Sequence, residues 1–238
     1  MSDALLTNPI WNTLCTGHAS IAEGDDRARR YPQEIGPLAG IRDQSRECYA
    51  SLRPLAGNYP VVLFSVDPFR IAKGWTQLRD GSVVQMLRDK SLRAPSIETA
   101  SPSRWVGNQG PSLRRLTPSD APAMVALAEL TEPGPFRLRT IELGNFYGVF
   151  HGDRLVSMAG KRMHLPGLVE VSGVCTHPDV RGRGYARRLM QIVMDEIEQG
   201  GHTPFLHAWA GNPACRLYES LGFTLSRQFH LAVLQNIS

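Results

Sequence analysis

One stretch of the sequence, residues 171–190, constrains the fold more than any other. It begins with an apolar, β-branched run over 171–176 and turns at 177–179. It then continues through the segment Arg-Gly-Arg-Gly-Tyr-Ala at 181–186 into a helical pattern. A strand, a glycine-rich loop and a helix in this order are typical of an anion site. Glycines let backbone N–H groups approach one anion, and the helix N-terminus adds unpaired N–H groups and positive dipole charge. The sequence therefore predicts a phosphate-binding loop.

The residues of this loop exclude two common classes of nucleotide site. A P-loop requires Gly-Lys-Ser/Thr, and the loop has no lysine. A Rossmann turn requires a third glycine, which would fall at position 187, but this residue is Arg187. The surrounding charge still favours phosphate, because arginine makes forked contacts with its oxygens. The four arginines of this stretch are Arg181, Arg183, Arg187 and Arg188.

Apolar periodicity and breaker residues predict alternating helices and strands along the chain. The predicted helices are 9–22 with Asn8 as its cap, 43–55, 121–130, 185–199 and 212–221. The predicted strands are 59–66, 81–87, 113–116, 146–150, 155–163, 168–176, 204–210 and 223–234, the last as one segment or a pair.

A polar segment divides the chain into two parts. Residues 93–112 are rich in Pro, Ser and Gly, which is typical of a linker. We therefore predict a smaller N-terminal α/β domain over 1–93, a linker over 94–112 and a second domain over 113–238.

Composition narrows the range of partners. The net charge of +4 in 238 residues suits an anionic ligand but is too small to indicate nucleic acid. No apolar run approaches the roughly 20 residues of a membrane span, so we expect no membrane partner. Four widely spaced cysteines without a CxxC pair, and no signal peptide, predict a reduced cytoplasmic protein. We expect no bound metal.

Two motifs resemble those of the GNAT N-acetyltransferase superfamily. The segment 181–186, preceded by Thr176-His177-Pro178, is similar to its pyrophosphate-binding pattern Arg/Gln-x-x-Gly-x-Gly/Ala. The second match runs from Asn212 through Tyr218 to Gly222-Phe223, and the order of predicted elements over 113–238 is that of the family. The resemblance implies a mixed α/β sheet with helices on both faces. The N-terminal half is then either a degenerate copy of this fold or an unrelated substrate-facing domain.

The resemblance also implies an activity. Family members move an acetyl group from acetyl-CoA to a primary amine by direct attack in a ternary complex. The implied acceptor is a small-molecule or amino-acid-like amine. A longer acyl group, or a protein N-terminus or lysine as acceptor, stays open, and a homodimer is compatible with the sequence. An alternative from another class is a regulatory module that binds acetyl-CoA without turnover.

The resemblance assigns cofactor contacts residue by residue. One strand would pair its backbone with the pantetheine arm through Val174, Cys175 and Thr176. Asn212 would contact the cofactor, cap a helix, or do both. The loop residues that would hold the pyrophosphate are Arg181, Gly182, Arg183, Gly184, Tyr185, Ala186 and Arg187.

Two residues carry the implied chemistry. Glu170 occupies the position of a general base, with a strand-end surface carboxylate as the alternative and His177 as a second candidate base. Tyr218 would return a proton to the departing thiolate, with simple aromatic packing as the alternative.

Two further features of the sequence leave alternatives open. Gly173 marks either a bulge that admits the cofactor or a tightly packed position. Covalent catalysis by Cys175 or Cys215 is disfavoured, because neither has an evident histidine partner.

Overall fold

The structure, a computed structural model, describes residues 2–92 and 110–237. The helices are α1 (Ser2–Leu6), α2 (Pro9–Cys15), α3 (Arg46–Ala56), α4 (Ala121–Thr131), α5 (Tyr185–Gln199) and α6 (Cys215–Ser220). The strands are β1 (Glu23–Gly24), β2 (Ala28–Arg30), β3 (Ala39–Ile41), β4 (Val61–Ser65), β5 (Trp75–Arg88), β6 (Ser112–Arg115), β7 (Phe146–His151), β8 (Arg154–Leu165), β9 (Leu168–Thr176), β10 (Thr203–Trp209) and β11 (Phe223–Asn236). Within the described part of the chain, no helix is both long enough and apolar enough to cross a membrane.

One eight-stranded sheet organises the molecule, in the order β4-β11-β5-β10-β9-β8-β7-β6. The pair β9–β10 is parallel and the other neighbouring pairs of this sheet are antiparallel. A small antiparallel sheet of β1, β2 and β3 lies outside it. These three short strands were not predicted, because two or three residues are too few to show an apolar alternation.

The sheet splits between β9 and β10. These strands pair only where 168–170 face 203–205. Beyond this point β9 continues to pair with β8 as far as Thr176, and β10 continues with β5 as far as Trp209. The two strands therefore separate and form a fork that opens towards the loop before α5.

A bulge at Gly173 bends β9 where the fork opens. The β8–β9 register shifts between the pairs Met158–Cys175 and Gly160–Ser172, and Gly173 adopts a φ of +63°. A Cβ atom at this position would lie 2.9 Å from Cε1 of Phe146. Gly173 therefore lies in a bulge, and it is also closely packed.

Helices cover both faces of the sheet. Leu155 and Val156 are neighbours in β8, so their side chains point to opposite faces. Leu155 packs in a cluster with α4, whereas Val156 packs in a cluster with α5. The predicted fold class, a mixed α/β sheet with helices on both faces, is confirmed.

The sheet runs across the predicted domain boundary. Strands β4 and β5 precede residue 93, yet β5 lies between β10 and β11. The apolar core is also shared, since Ile10 of α2 and Phe205 of β10 belong to one buried cluster. Most of the predicted linker lies outside the described residues. The parts before and after it are built into one sheet rather than into separate sheets.

The predicted first helix is too long. It was expected to reach residue 22, but α2 ends at Cys15. The chain then packs so closely that a Cβ atom at Gly17 would lie 2.2 Å from the carbonyl oxygen of His164. Asn8 precedes the helix without capping it, because its side chain donates to the carbonyl of Ile41 at 2.8 Å. Long-range contacts of this kind leave no local pattern.

Smaller differences concern β5, β11 and α6. Strand β5 begins at Trp75, before the predicted residue 81, because it follows β11 along its whole length. The final segment is one continuous strand. Helix α6 begins at Cys215 rather than at 212, since residues 212–214 form its entry turn.

We predict that residues 113–238 produced alone do not fold cooperatively. Without β5, the edges of β10 and β11 that normally pair with it would expose unpaired N–H and C=O groups, and part of the core would be exposed as well. Co-production with residues 1–93 should restore a soluble complex with one unfolding transition, measured by circular dichroism and size-exclusion chromatography. A soluble, cooperatively unfolding 113–238 fragment would support the two-domain division instead.

Candidate active site

A cavity of about 620 Å³ lies in the fork between β9 and β10 and extends to the N-terminus of α5. The sequence-predicted residues that line it are Val174, Cys175, Thr176, Arg181, Gly182, Arg183, Gly184, Tyr185, Ala186, Arg187, Asn212 and Tyr218. Glu170 is the predicted site residue that does not line it. The fold thus brings the two sequence motifs to one cavity, although 24 positions separate Arg188 from Asn212.

The glycine-rich loop leaves open space before α5. Gly182 and Gly184 have φ values of +76° and +81°, and a Cβ atom on either would meet no heavy atom within 4 Å. Tyr185 begins the 15-residue helix α5, whose first-turn N–H groups have no intrahelical acceptor. Backbone donors, positive helix dipole and empty space therefore coincide where the sequence predicted a phosphate site.

Arginine side chains flank this loop with different partners. Arg181 Nε donates to the Thr176 carbonyl at 3.2 Å, which ties the loop to the end of β9. Arg187 Nη2 donates to Ser220 Oγ at 2.6 Å and links α5 to α6. Arg183 is exposed. Positive charge therefore surrounds the loop.

The edge of β9 that faces the fork has no β10 partner beyond Glu170. Val174, Cys175 and Thr176 line the cavity along this edge. An unpaired strand edge can accept an extended ligand as an added strand. Burial raises the pKa of the Cys175 thiol to about 11, so the group stays protonated and is a weak nucleophile.

Two residues of the second motif line the opposite side. Asn212 Oδ1 accepts from the Ala214 N–H at 2.9 Å, so its side chain caps the turn that leads into α6 while it lines the cavity. Tyr218 is 7% exposed, and burial raises its pKa to about 12. Its hydroxyl makes no hydrogen bond with a described residue. This hydroxyl is a protonated donor available to a ligand.

Glu170 is enclosed rather than exposed. Its side chain is 0% exposed and receives two hydrogen bonds of 2.7 Å from Arg162 Nε and Nη2. His207 Nδ1 lies 2.8 Å from its Oε1. Burial alone would raise the pKa of Glu170, but Arg162 and His207 hold it at about 2. The surface-carboxylate alternative is wrong, and this geometry does not favour a carboxylate that takes protons directly from a ligand.

The second candidate base, His177, caps a turn. Its Nδ1 accepts from the Asp179 N–H at 3.2 Å, and its Nε2 contacts the Arg154 guanidinium. It does not line the cavity. The structure therefore assigns His177 to the turn before the glycine-rich loop rather than to the cavity.

Three polar side chains beneath the fork were not predicted from the sequence. Arg162 lies in β8 and His207 in β10, and both line the cavity. Gln85 of β5 is fully buried, and its Nε2 lies 3.1 Å from Nε2 of His207. A polar residue inside an apolar strand pattern is the signal that could have identified them, because such groups are buried only with partners.

Comparisons with known proteins agree with this fold. Residues 146–231 match the FR47-like protein family. A solved structure of a protein assigned as a GNAT-family acetyltransferase, from Novosphingobium aromaticivorans, is 35% identical with a TM-score of 0.84. The match covers 98% of this chain and 99% of that one.

More distant structures share the fold alone. A GCN5-related N-acetyltransferase from Kribbella flavida is 14% identical, covers 95% of both chains and has a TM-score of 0.63. A GCN5-related N-acetyltransferase-like protein from Streptococcus suis is 13% identical, covers 90% of this chain and 82% of its own, and has a TM-score of 0.57.

Among curated proteins, no sequence matches significantly. The 35% identity over nearly the full length of both chains, together with the forked sheet and the glycine-rich loop before α5, shows that this chain belongs to the GNAT family.

Proposed function

We propose that the protein transfers an acetyl group from acetyl-CoA to a primary amine by direct attack within a ternary complex. The observation that carries this proposal is the fork between β9 and β10, whose unpaired edge leads to the open loop before α5. Reduced cysteines without disulfides are in keeping with work in the cytoplasm.

The residues of the cavity suit the donor. The N–H groups of the first turn of α5, with Arg181 and Arg183 nearby, would hold the pyrophosphate. The free edge of β9 at Val174–Thr176 would pair with the amides of the pantetheine arm, and one N–H there would stabilise the oxyanion. Acetyl-CoA supplies an activated thioester, so the protein's main task is to place the amine beside it.

Proton movements complete the reaction. A bond forms between the amine nitrogen and the acetyl carbon while the carbon–sulfur bond breaks. Tyr218 would donate its proton to the departing thiolate. Because Glu170 is enclosed, we infer that it orients Arg162 and His207, and that the amine loses its proton to solvent in the cavity. The high pKa of the Cys175 thiol supports direct attack over an acetyl-cysteine route.

The donor site can be tested with Gly184→Glu. Acetyl-CoA should raise the Tm of the parent protein, because a ligand bound to the native state stabilises it. The variant should show no rise, since it places bulk and negative charge where the pyrophosphate binds. Gly167→Glu is the matched control, because Gly167 also has positive φ (+76°) and open space but lies in the turn between β8 and β9. A normal rise in the Gly184 variant would show that the loop is misassigned.

Tyr218→Phe tests the acid that serves the leaving group. The variant keeps the ring but removes the hydroxyl, so kcat should fall roughly 10²-fold while the Kd for acetyl-CoA stays unchanged. Free thiol release and calorimetric titration measure the two quantities. Tyr147→Phe, which loses a hydroxyl bonded to Glu196 outside the cavity, should keep the parent kcat. Parent-like turnover by Tyr218→Phe would assign the proton to another source.

Glu170→Gln tests the structural role of the enclosed carboxylate. At pH 7 the free energy of unfolding should fall by about 3 kcal/mol, because the Arg162 guanidinium loses its buried counterion. Glu170 has a lowered pKa in the folded state, so its contribution is complete above the ordinary value of 4.5. The difference between parent and variant should therefore shrink as pH falls from 4.5 towards about 2. Urea unfolding across this range measures it.

A matched control separates the effect of burying an ion pair on stability from the effect of the ion pair itself. Glu142 makes a similar forked contact with Arg139, at 2.7 and 2.8 Å, but its side chain is 42% exposed. Glu142→Gln should change the free energy of unfolding by less than about 1 kcal/mol.

If Glu170 were instead the base, the kcat defect of Glu170→Gln would disappear as pH rises towards the pKa of the amine. We expect a defect that persists at all pH values.

A further inference from the structure

The cavity continues beyond β10 to an apolar wall made of four side chains: Phe64 of β4, Val83 of β5, Trp209 of β10 and Leu231 of β11. Phe64 pairs with Leu231 across β4 and β11, and Val83 pairs with Trp209 across β5 and β10. Leu231 also pairs with Gly81, two positions before Val83. Directly paired residues and residues two apart share one face, so all four side chains project from the same face of the sheet.

Gly81 creates the space in which Trp209 lies. A Cβ atom at Gly81 would be 2.5 Å from Cζ3 of the indole. The Arg79 guanidinium lies 4.9 Å from the centre of the indole ring and holds it by a cation–π contact. The indole of Trp209 is therefore held in place within the apolar wall, and two other wall residues, Phe64 and Val83, come from the part of the chain before residue 93.

Arg162 contributes a positive group to the same cavity. Its Nε and Nη2 bind Glu170, whereas its Nη1 makes no hydrogen bond with any residue in the described part of the chain. The side chain is 12% exposed and lines the cavity. His207 joins the two features, because it contacts Glu170 at 2.8 Å and its ring centre lies 5.2 Å from that of Phe64.

The remaining Arg162 nitrogen can only donate hydrogen bonds. Its natural partner is an acceptor with negative charge, and a carboxylate matches the planar guanidinium best. Glu170, His207 and Gln85 hold one another beneath it, so the guanidinium is oriented before a ligand arrives. Arg162 and the four wall residues line the same cavity, so a ligand that satisfies both features carries a carboxylate and an apolar group.

We propose that the acceptor is an α-amino acid with an apolar or aromatic side chain. Arg162 binds its carboxylate, and the apolar wall of Phe64, Val83, Trp209 and Leu231 binds its side chain. This assignment rests on the proposed acetyl transfer and defines the substrate class for the same site.

Matched acceptors test the proposal on the unaltered protein. With acetyl-CoA as donor and thiol release as the readout, L-phenylalanine should exceed both L-phenylalaninamide and glycine in kcat/KM by at least about tenfold. Rates are compared per concentration of free amine, since the amide has a lower amine pKa. Equal or faster reaction of the amide would overturn the role of Arg162, and equal reaction of glycine would overturn the role of the apolar wall.

Product binding separates this proposal from the proposed function. N-acetyl-L-phenylalanine should raise the Tm more than its carboxamide, and this readout requires no turnover. Acetylation of amines without preference for the carboxylate would overturn the acceptor assignment and leave acetyl transfer standing. Preferential binding of the carboxylate product without thiol release would support the acceptor site and overturn acetyl transfer.

Two variants test whether Arg162 and Phe64 produce the preference for phenylalanine. Arg162→Lys should raise KM for phenylalanine about tenfold and leave KM for phenylalaninamide unchanged, which a general loss of structure would not do. Phe64→Ala should raise KM for phenylalanine about tenfold and leave KM for glycine unchanged. Tyr59→Ala is the matched control, because Tyr59 is exposed just before β4 and does not line the cavity. An unchanged phenylalanine-to-glycine preference in Phe64→Ala would overturn the wall assignment.

Discussion

A buried carboxylate holds neighbouring strands together at the point where the sheet splits. Glu170 of β9 binds Arg162 of β8 and His207 of β10, and His207 in turn contacts Gln85 of β5. Glu170 is also the last residue of β9 that pairs with β10. The bulge at Gly173 and the loop before α5 both follow Glu170 along the chain. Their positions therefore depend on the separation of β9 from β10 at this residue. The ion pair thus stabilises the closed end of a fork whose open end holds the cavity.

An enclosed ion pair is a costly way to join strands. Removing two charges from water costs several kcal/mol per ion, and apolar side chains of similar size often stabilise a fold equally well. A polar cluster here has a different advantage, since it fixes the orientation of each member through directed hydrogen bonds. One side of the cavity therefore has an oriented guanidinium, while the other side is lined by backbone groups of β9 and α5.

Local patterns explain which parts could be predicted from the sequence. The strand–loop–helix stretch at 171–190 and the helix around Tyr218 are encoded by consecutive residues, so their positions and their shared cavity were predictable. The enclosure of Glu170 was not, because it depends on Arg162 and His207, which lie eight and 37 positions away. The place of β5 inside the sheet was missed for the same reason: its apolar alternation shows a strand but not the identity of its neighbours.

The position of β11 has a consequence for how the chain reaches its fold during synthesis. This strand lies far from β4 and β5 in sequence, yet it separates them, and a hydrogen bond joins Ser82 to Phe229 across 147 positions. Strands β4 and β5 must therefore wait, with exposed edges, until β11 has emerged from the ribosome. Contacts this distant in sequence slow folding and prolong the time in which unpaired edges can meet other chains. The eight-stranded sheet is completed only when β11 is available, and a chain cut short before β11 would leave β4 and β5 apart.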